Sequence, residues 1–235
     1  MKPFFQLFQQ LAREGPGEDA DVFWATEMAG AGKDARICDV ACGSGANIAP
    51  LLAACPDGHV TAFDKQAHFI DEARHRVGDN AQVALSVGDM AQLNGSYDFV
   101  WCAGAIYFLG IKAALKQWRA ALNQGGAIAF SLPCWWVDTP SKPAQDLWAQ
   151  YSAMCNEAGL ADQVQAAGYK TIATRRLADS AWEGFYTPLE SRINLLRDTS
   201  DQALQTVLDE EAKEIAIWRA HGDEYGYLLT VVRPI

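Results

Sequence analysis

The chain is short of positive charge, with 19 Lys and Arg against 29 Asp and Glu in 235 residues and a formal net charge of −10. Binding to a phosphate backbone draws on clustered Lys and Arg that release counterions. No such cluster occurs, so nucleic acid is not an expected partner. No stretch approaches the roughly 20 apolar residues of a membrane span, so no membrane partner is expected either. The opening MKPFFQLFQQLAREGPGEDA lacks the continuous apolar core and small-residue cleavage site of a secretory leader. The six cysteines, Cys38, Cys42, Cys55, Cys102, Cys134 and Cys155, contain no Cys-x-x-Cys pair. That spacing favours buried free thiols in a reducing cytoplasm, with no metal site.

What is present begins at residues 35–52, ARICDVACGSGANIAPLL. The apolar run Ile37 to Ala41 has the character of a buried parallel strand. Gly43-Ser44-Gly45 makes a tight turn, and Ile48, Leu51 and Leu52 share one face of a following helix. In an open α/β sheet this corner binds ligands, because the crevice lies outside the carboxyl ends of the strands. A dinucleotide fingerprint would place a third glycine at position 48, where Ile48 stands. Asp39, four residues before Gly43, instead suits a ligand with an amino group.

The rest of the chain supplies alternating elements. Residues 3–13 and 18–29 read as helices, separated by Gly15-Pro16-Gly17. A second strand, 59–63, ends at Asp64, 19 residues after Gly45, where a carboxylate reaches the hydroxyls of a ribose. A helix over 66–77 leads to a third strand, 83–87, followed by Gly88-Asp89-Met90. A fourth strand over 97–103, a helix over 112–122 and a fifth strand over 127–132 follow. The last hundred residues are less regular: helices over 144–157 and 160–167, a sixth strand over 169–177, and helices over 189–197 and 201–220. A final strand covers 225–232. This alternation predicts one α/β domain over 1–235 with helices on both faces of the sheet.

Four of these features together resemble class I S-adenosylmethionine-dependent methyltransferases. The pattern Asp39-x-x-x-Gly43-x-Gly45 is similar to the family's first motif. Asp64 matches its ribose ligand, and Asp89 with Met90 its adenine contacts. Leu122-Asn123-Gln124-Gly125-Gly126 is similar to its Leu-x-Pro-Gly-Gly turn, with glutamine for proline. The resemblance covers about 36–132 at motif level. It implies a Rossmann-like, mostly parallel seven-stranded sheet with an antiparallel last strand, and a cofactor site made of Asp39, Ala41, Gly43, Gly45, Asp64, Lys65, Asp89, Met90 and Ala103. The segments GAIYFLG, Trp182–Pro188 and DEYGYLLTVVRP look like a bacterial group acting on small molecules, which often has Glu where Ala103 stands. The Asn/Asp-Pro-Pro-Tyr motif of amide and nucleobase enzymes is missing after the fourth strand.

The implied activity is methyl transfer to a small soluble metabolite by a cytoplasmic monomer or homodimer, with S-adenosylmethionine as cofactor. Residues 1–30 would form a helical lid, and 133–160 with 182–222 a cap. The plain reading of the many aromatics is core packing. The sharper reading gives Tyr107 and Tyr186 the positioning of the acceptor. His221 and Glu183 as bases, Arg192 as an anion ligand and Cys42 as a reactive thiol are weaker candidates than their structural roles. A nicotinamide-dependent oxidoreductase, or a non-catalytic protein binding S-adenosylmethionine or S-adenosylhomocysteine, would share the corner and Asp64.

Overall fold

The computed structural model describes residues 2–198 and 201–235. Met1, Thr199 and Ser200, which fall within the expected lid and cap spans, lie outside the described residues. In chain order the elements are α1 (Pro3–Phe8), α2 (Asp19–Ala29), β1 (Arg36–Val40), α3 (Ile48–Ala54), β2 (His59–Asp64), α4 (Ala67–Val77), β3 (Val83–Val87) and β4 (Tyr97–Cys102). There follow α5 (Ile111–Trp118), β5 (Leu122–Trp135), α6 (Lys142–Leu147), α7 (Glu157–Ala166), β6 (Tyr169–Arg176), α8 (Asp179–Arg197), α9 (Gln202–His221) and β7 (Tyr225–Pro234).

The seven strands form one sheet in the order β3-β2-β1-β4-β5-β7-β6. β1 pairs in parallel with β2 on one side and β4 on the other, so the direction of winding reverses at β1. That reversal opens a crevice at the carboxyl ends of the central strands. β7 is antiparallel to both neighbours, with Ser131 opposite Leu229 and Thr171 opposite Val232. The expected topology is therefore observed.

Successive residues of a strand face opposite sides of the sheet, and the two cores follow from that. Ile37, Phe99 and Trp101 join one core, which also holds Leu7 and Val22 from α1 and α2 and Trp182, Tyr186 and Trp218 from α8 and α9. Cys38, Val40, Val100 and Cys102 join the other, with Leu115 and Trp118 of α5 and Val164 of α7. Helices cover both faces.

Several sequence boundaries are corrected. The first helix stops at Phe8 rather than residue 13, because Gln10 takes a left-handed conformation (φ 65°). Arg76 Nη1 then donates to the carbonyl of Ala12 at 2.6 Å, so residues 9–17 run as a strap rather than a helix. The helix expected over 144–157 is only α6. The chain turns after Leu147, and Asn156 starts α7 by accepting from the backbone N–H of Gly159 at 3.0 Å. The helix expected to begin at Leu189 begins ten residues earlier and passes through Pro188. An interior proline costs about 3 kcal/mol. Burial of Trp182, Phe185, Tyr186 and Leu189 on one face, at roughly 1.5–3 kcal/mol each, outweighs it. β5 extends to Trp135, beyond the expected 132, because β7 pairs along it to Tyr225.

Candidate active site

The site is built on the loop between β1 and α3. Ala41, Gly43 and Gly45 all have positive φ, at 56°, 54° and 82°, which turns the chain back under the sheet edge. At Gly45 a Cβ would press on Ile48 Cδ1 at 2.9 Å and Ala73 Cβ at 3.1 Å, so this glycine seats the loop against α4. At Gly43 a Cβ would run into the carboxyl group of Glu14.

The loop's N–H groups are already engaged. Cys42 N–H donates to the carbonyl of Phe63 at 3.0 Å, and Gly43 N–H to Asp64 Oδ2 at 3.1 Å. Ser44 N–H donates to Glu14 Oε2 at 3.2 Å. Two of these acceptors are carboxylates. Asp64 is held from its other side, its Oδ1 accepting from Gln66 N–H at 2.8 Å.

A cavity of about 560 Å³ opens above this loop. One wall comes from the ends of three strands: Ala41 to Gly43 after β1, Asp64 and Lys65 after β2, and Gly88 to Met90 after β3. The chain after β4 adds Ala103 to Ala105 and Tyr107 to Leu109. The opposite wall is the strap and α1, through Phe4, Phe5, Phe8, Arg13 and Glu14. Phe5 meets Phe69 edge to face, with ring centroids 5.8 Å apart, across the mouth. Tyr227 of β7 closes the floor beside Gly104 and Tyr107.

The electrostatics at the loop end are negative. Burial is the main cause that raises the pKa of Asp39, to about 8, and the charges of Asp64 and Glu14 add to it. Burial also raises Glu14 and Asp64, against the hydrogen bonds from Ser44, Gln66 and Gly43 that favour their ionised forms. Asp89 at the outer end behaves oppositely: the N–H of Ala91, donating at 2.9 Å, and Lys65, 3.6 Å away, lower its pKa. Among the described residues no group of three or more His, Cys, Asp or Glu side chains is placed to hold a metal ion, and no helix is long and apolar enough to cross a membrane.

Residues 37–126 match the family model of a methyltransferase domain. Over those residues the chain is similar to methyltransferase domains. Its whole length follows the same fold as solved S-adenosylmethionine-dependent methyltransferases. One from Geobacter sulfurreducens, in complex with S-adenosylhomocysteine, has a TM-score of 0.84 at 15% identity, covering 100% of this chain and 99% of that one. A second, from Thiobacillus denitrificans and also with S-adenosylhomocysteine, has a TM-score of 0.85 at 16% identity over 100% and 99% of the two chains. The YjhP protein of E. coli reaches 0.80 at 18% identity over 99% of each. A search of curated proteins finds no match to the sequence. The expected fold is thus borne out, and the expected methyltransferase has a matching family model over 37–126.

Ala41, Gly43, Asp64, Lys65, Asp89, Met90, Ala103 and Tyr107 all line the cavity. Asp39 and Gly45 lie behind the loop and do not; Asp39 is 1% exposed, with Oδ2 unpartnered. Tyr186 is not part of the lining. It is 1% exposed, packs on Trp182 and Trp218, and donates to Glu214 Oε1 at 2.9 Å. His221 contacts Ser141 and Glu224, and Glu183 pairs with Arg219 at 2.9 Å, both as surface ties away from the cavity. Arg192 also lies outside the lining, and burial pushes the Cys42 thiol strongly up, away from the reactive thiolate. Sequence reasoning missed Phe4, Phe5, Phe8, Arg13, Glu14 and Tyr227. The signal available was the Arg13-Glu14 pair directly before the Gly15-Pro16-Gly17 breakers.

Proposed function

We propose that the domain transfers a methyl group from S-adenosylmethionine to a small, soluble acceptor that enters between α1 and the chain after β4. The observation that carries the choice of ligand is the occupancy of the glycine loop. A dinucleotide pyrophosphate needs free loop N–H groups and tolerates no adjacent negative charge. Here the N–H groups of Gly43 and Ser44 are bonded to Asp64 and Glu14, and Asp39 lies beneath them. A loop whose N–H groups are taken by two carboxyl groups, with a third beneath it, favours a cationic ligand over a pyrophosphate.

The remaining lining fits the same ligand. Each oxygen of Asp64 has lone pairs left for the two hydroxyls of a ribose. Asp89 Oδ2, beside Lys65, faces the outer end of the cavity where an adenine amino group would donate, with Met90 packing on the ring. S-adenosylmethionine supplies an electrophilic methyl group on a sulfonium when bound. The chain's own residues contribute alignment and exclusion of water: Phe4, Phe5 and Phe8 cover the cavity as a lid over its mouth, and Tyr107 and Tyr227 floor it. The bound group would supply the methyl carbon to a lone pair of the acceptor and keep the displaced bonding pair on its own sulfur. Holding two reactants in line is worth roughly 7–11 kcal/mol of barrier, so the reaction proceeds without a dedicated catalytic dyad. Residues 133–160, on this reading, cap the acceptor side through the contact of Tyr151 with Tyr107 at 5.3 Å between centroids.

Calorimetric titration with S-adenosylmethionine, S-adenosylhomocysteine and NAD tests the ligand, and transfer of labelled methyl groups to a metabolite panel tests the reaction. Binding of NAD alone would refute the proposal.

A further inference from the structure

Two of the six cysteines stand side by side, and the reaction as described leaves both without a task. Cys134 lies near the end of β5 and is fully buried, whereas Cys155 lies in the stretch between α6 and α7 and is half-buried. The backbone sets them opposite each other. Trp135 N–H donates to the carbonyl of Cys155 at 3.1 Å, and Trp135 forms an isolated parallel bridge with Asn156. One residue back in that register, Cys134 falls beside Cys155, with both side chains on the same side of the paired chains. Neighbouring extended chains run about 4.8 Å apart. That lies within the roughly 4.4–6.8 Å between Cα atoms that a disulfide spans.

The surroundings divide the labour between the two thiols. Contact with the Cys134 thiol lowers the pKa of Cys155, and Gln163 Nε2, donating to Cys155 Sγ at 3.3 Å, adds to the effect against burial. The same contact raises Cys134 and keeps it protonated. Cys38, Cys42 and Cys102 are instead pushed up by burial. A partly exposed thiolate with a second thiol at its back is the arrangement in which sulfur oxidation is site-selective and reversible.

We propose that Cys155 is an oxidation site for hydroperoxides and that Cys134 resolves it to an intramolecular disulfide. The Cys155 thiolate attacks one peroxide oxygen, the O–O bond breaks, and hydroxide or alkoxide leaves, giving a sulfenic acid. The Cys134 sulfur then attacks the Cys155 sulfur, the S–O bond breaks, and water leaves with the Cys134 proton. Two electrons pass in all from the two sulfurs to the peroxide. The bond pins to β5 the stretch that carries Tyr151, whose ring packs on Tyr107 at the cavity.

Hydrogen peroxide added to the reduced full-length protein tests the site. Two of the six thiols are lost, the intact mass falls by two hydrogens, and a non-reduced digest joins the peptides of Cys134 and Cys155. Dithiothreitol restores both thiols. In Cys155→Ser the same dose consumes thiols at least tenfold more slowly. In Cys134→Ala, checked for folding by circular dichroism, Cys155 stops at a sulfenic acid that dimedone captures. Amide hydrogen exchange over residues 148–156 slows in the oxidised protein. Oxidation of Cys155 no faster than that of Cys38 or Cys102, or a linkage of Cys155 to any other cysteine or to a second chain, overturns the proposal. Unchanged exchange over 148–156 overturns the pinning.

Discussion

The three carboxylates around the glycine loop make cofactor affinity depend on pH in a direction that can be worked out. Asp39 titrates at about 8, against an ordinary carboxyl value near 4, because it is buried and faces Asp64 and Glu14. At about 1.4 kcal/mol per pH unit, its charge above pH 8 is held against a penalty on the order of 5 kcal/mol. The charges facing this cluster are His68 near Asp64, and Arg76, Arg13 and Glu72 near Glu14, and no cation acts on Asp39 itself. In the ligand-free protein each raised carboxyl gives stability that is complete below its unfolded pKa and lost as pH rises through its folded value. For Asp39 that window runs from about 4 to about 8. A cationic ligand stabilises the ionised forms and lowers their pKa values, so binding releases protons and affinity rises with pH. One proton released corresponds to at most a tenfold gain per pH unit, or up to about 100-fold between pH 6 and 8. Calorimetry in two buffers of different ionisation enthalpy reads the protons directly. S-adenosylmethionine, with its sulfonium charge, shows a steeper dependence than S-adenosylhomocysteine, and Asp39→Asn flattens both. Affinity constant from pH 6 to 8 with no proton release would refute the electrostatic reasoning.

Asp64→Ala weakens S-adenosylmethionine binding by roughly 2–3 kcal/mol through the lost ribose bonds, measured by calorimetry, and it also frees the N–H groups of Gly43 and Gln66. Gly43→Val abolishes binding while circular dichroism shows a folded protein, because the new side chain displaces Glu14 and the φ of 54° strains a branched residue. Tyr107→Ala, in the cavity floor, cuts methyl transfer at least tenfold with cofactor affinity nearly unchanged, once an acceptor is in hand. Tyr186→Ala instead lowers thermal stability, by about 3–5 kcal/mol as for other buried aromatics, because its ring and hydroxyl are engaged with Trp182, Trp218 and Glu214.

The sheet and the strand-end wall of the cavity were legible because they depend on local rules. A buried parallel strand reads as an unbroken apolar run, and the chain must turn at its end, so Asp39, Asp64 and Asp89 announce three successive strand ends. Asp64 and Asp89 accordingly stand on one cavity, although their strands belong to distant stretches of sequence. Asp39 fell one layer short of that cavity. Spacing fixes the strand on which a residue lies but not whether the next loop covers it, and here Gly43 and Ser44 roof it over.

The other half of the site was hidden because it depends on contacts distant in sequence. Phe4, Phe5, Leu7 and Phe8 read as one amphipathic helix that would continue to residue 13, since nothing local ends it. It ends where Gln10 turns left-handed, and Arg76, 64 residues from Ala12, then holds the carbonyls of Leu11 and Ala12. The same capture carries Arg13 and Glu14 over the glycine loop. Tyr186 shows the converse. Its aromatic neighbourhood looked like a pocket lining, yet in α8 Trp182, Phe185, Tyr186 and Leu189 repeat at helical spacing, and that stripe is turned into the core. Tyr107, in the single 3-10 turn after β4, does line the cavity. In α8 the aromatic stripe is instead part of the core.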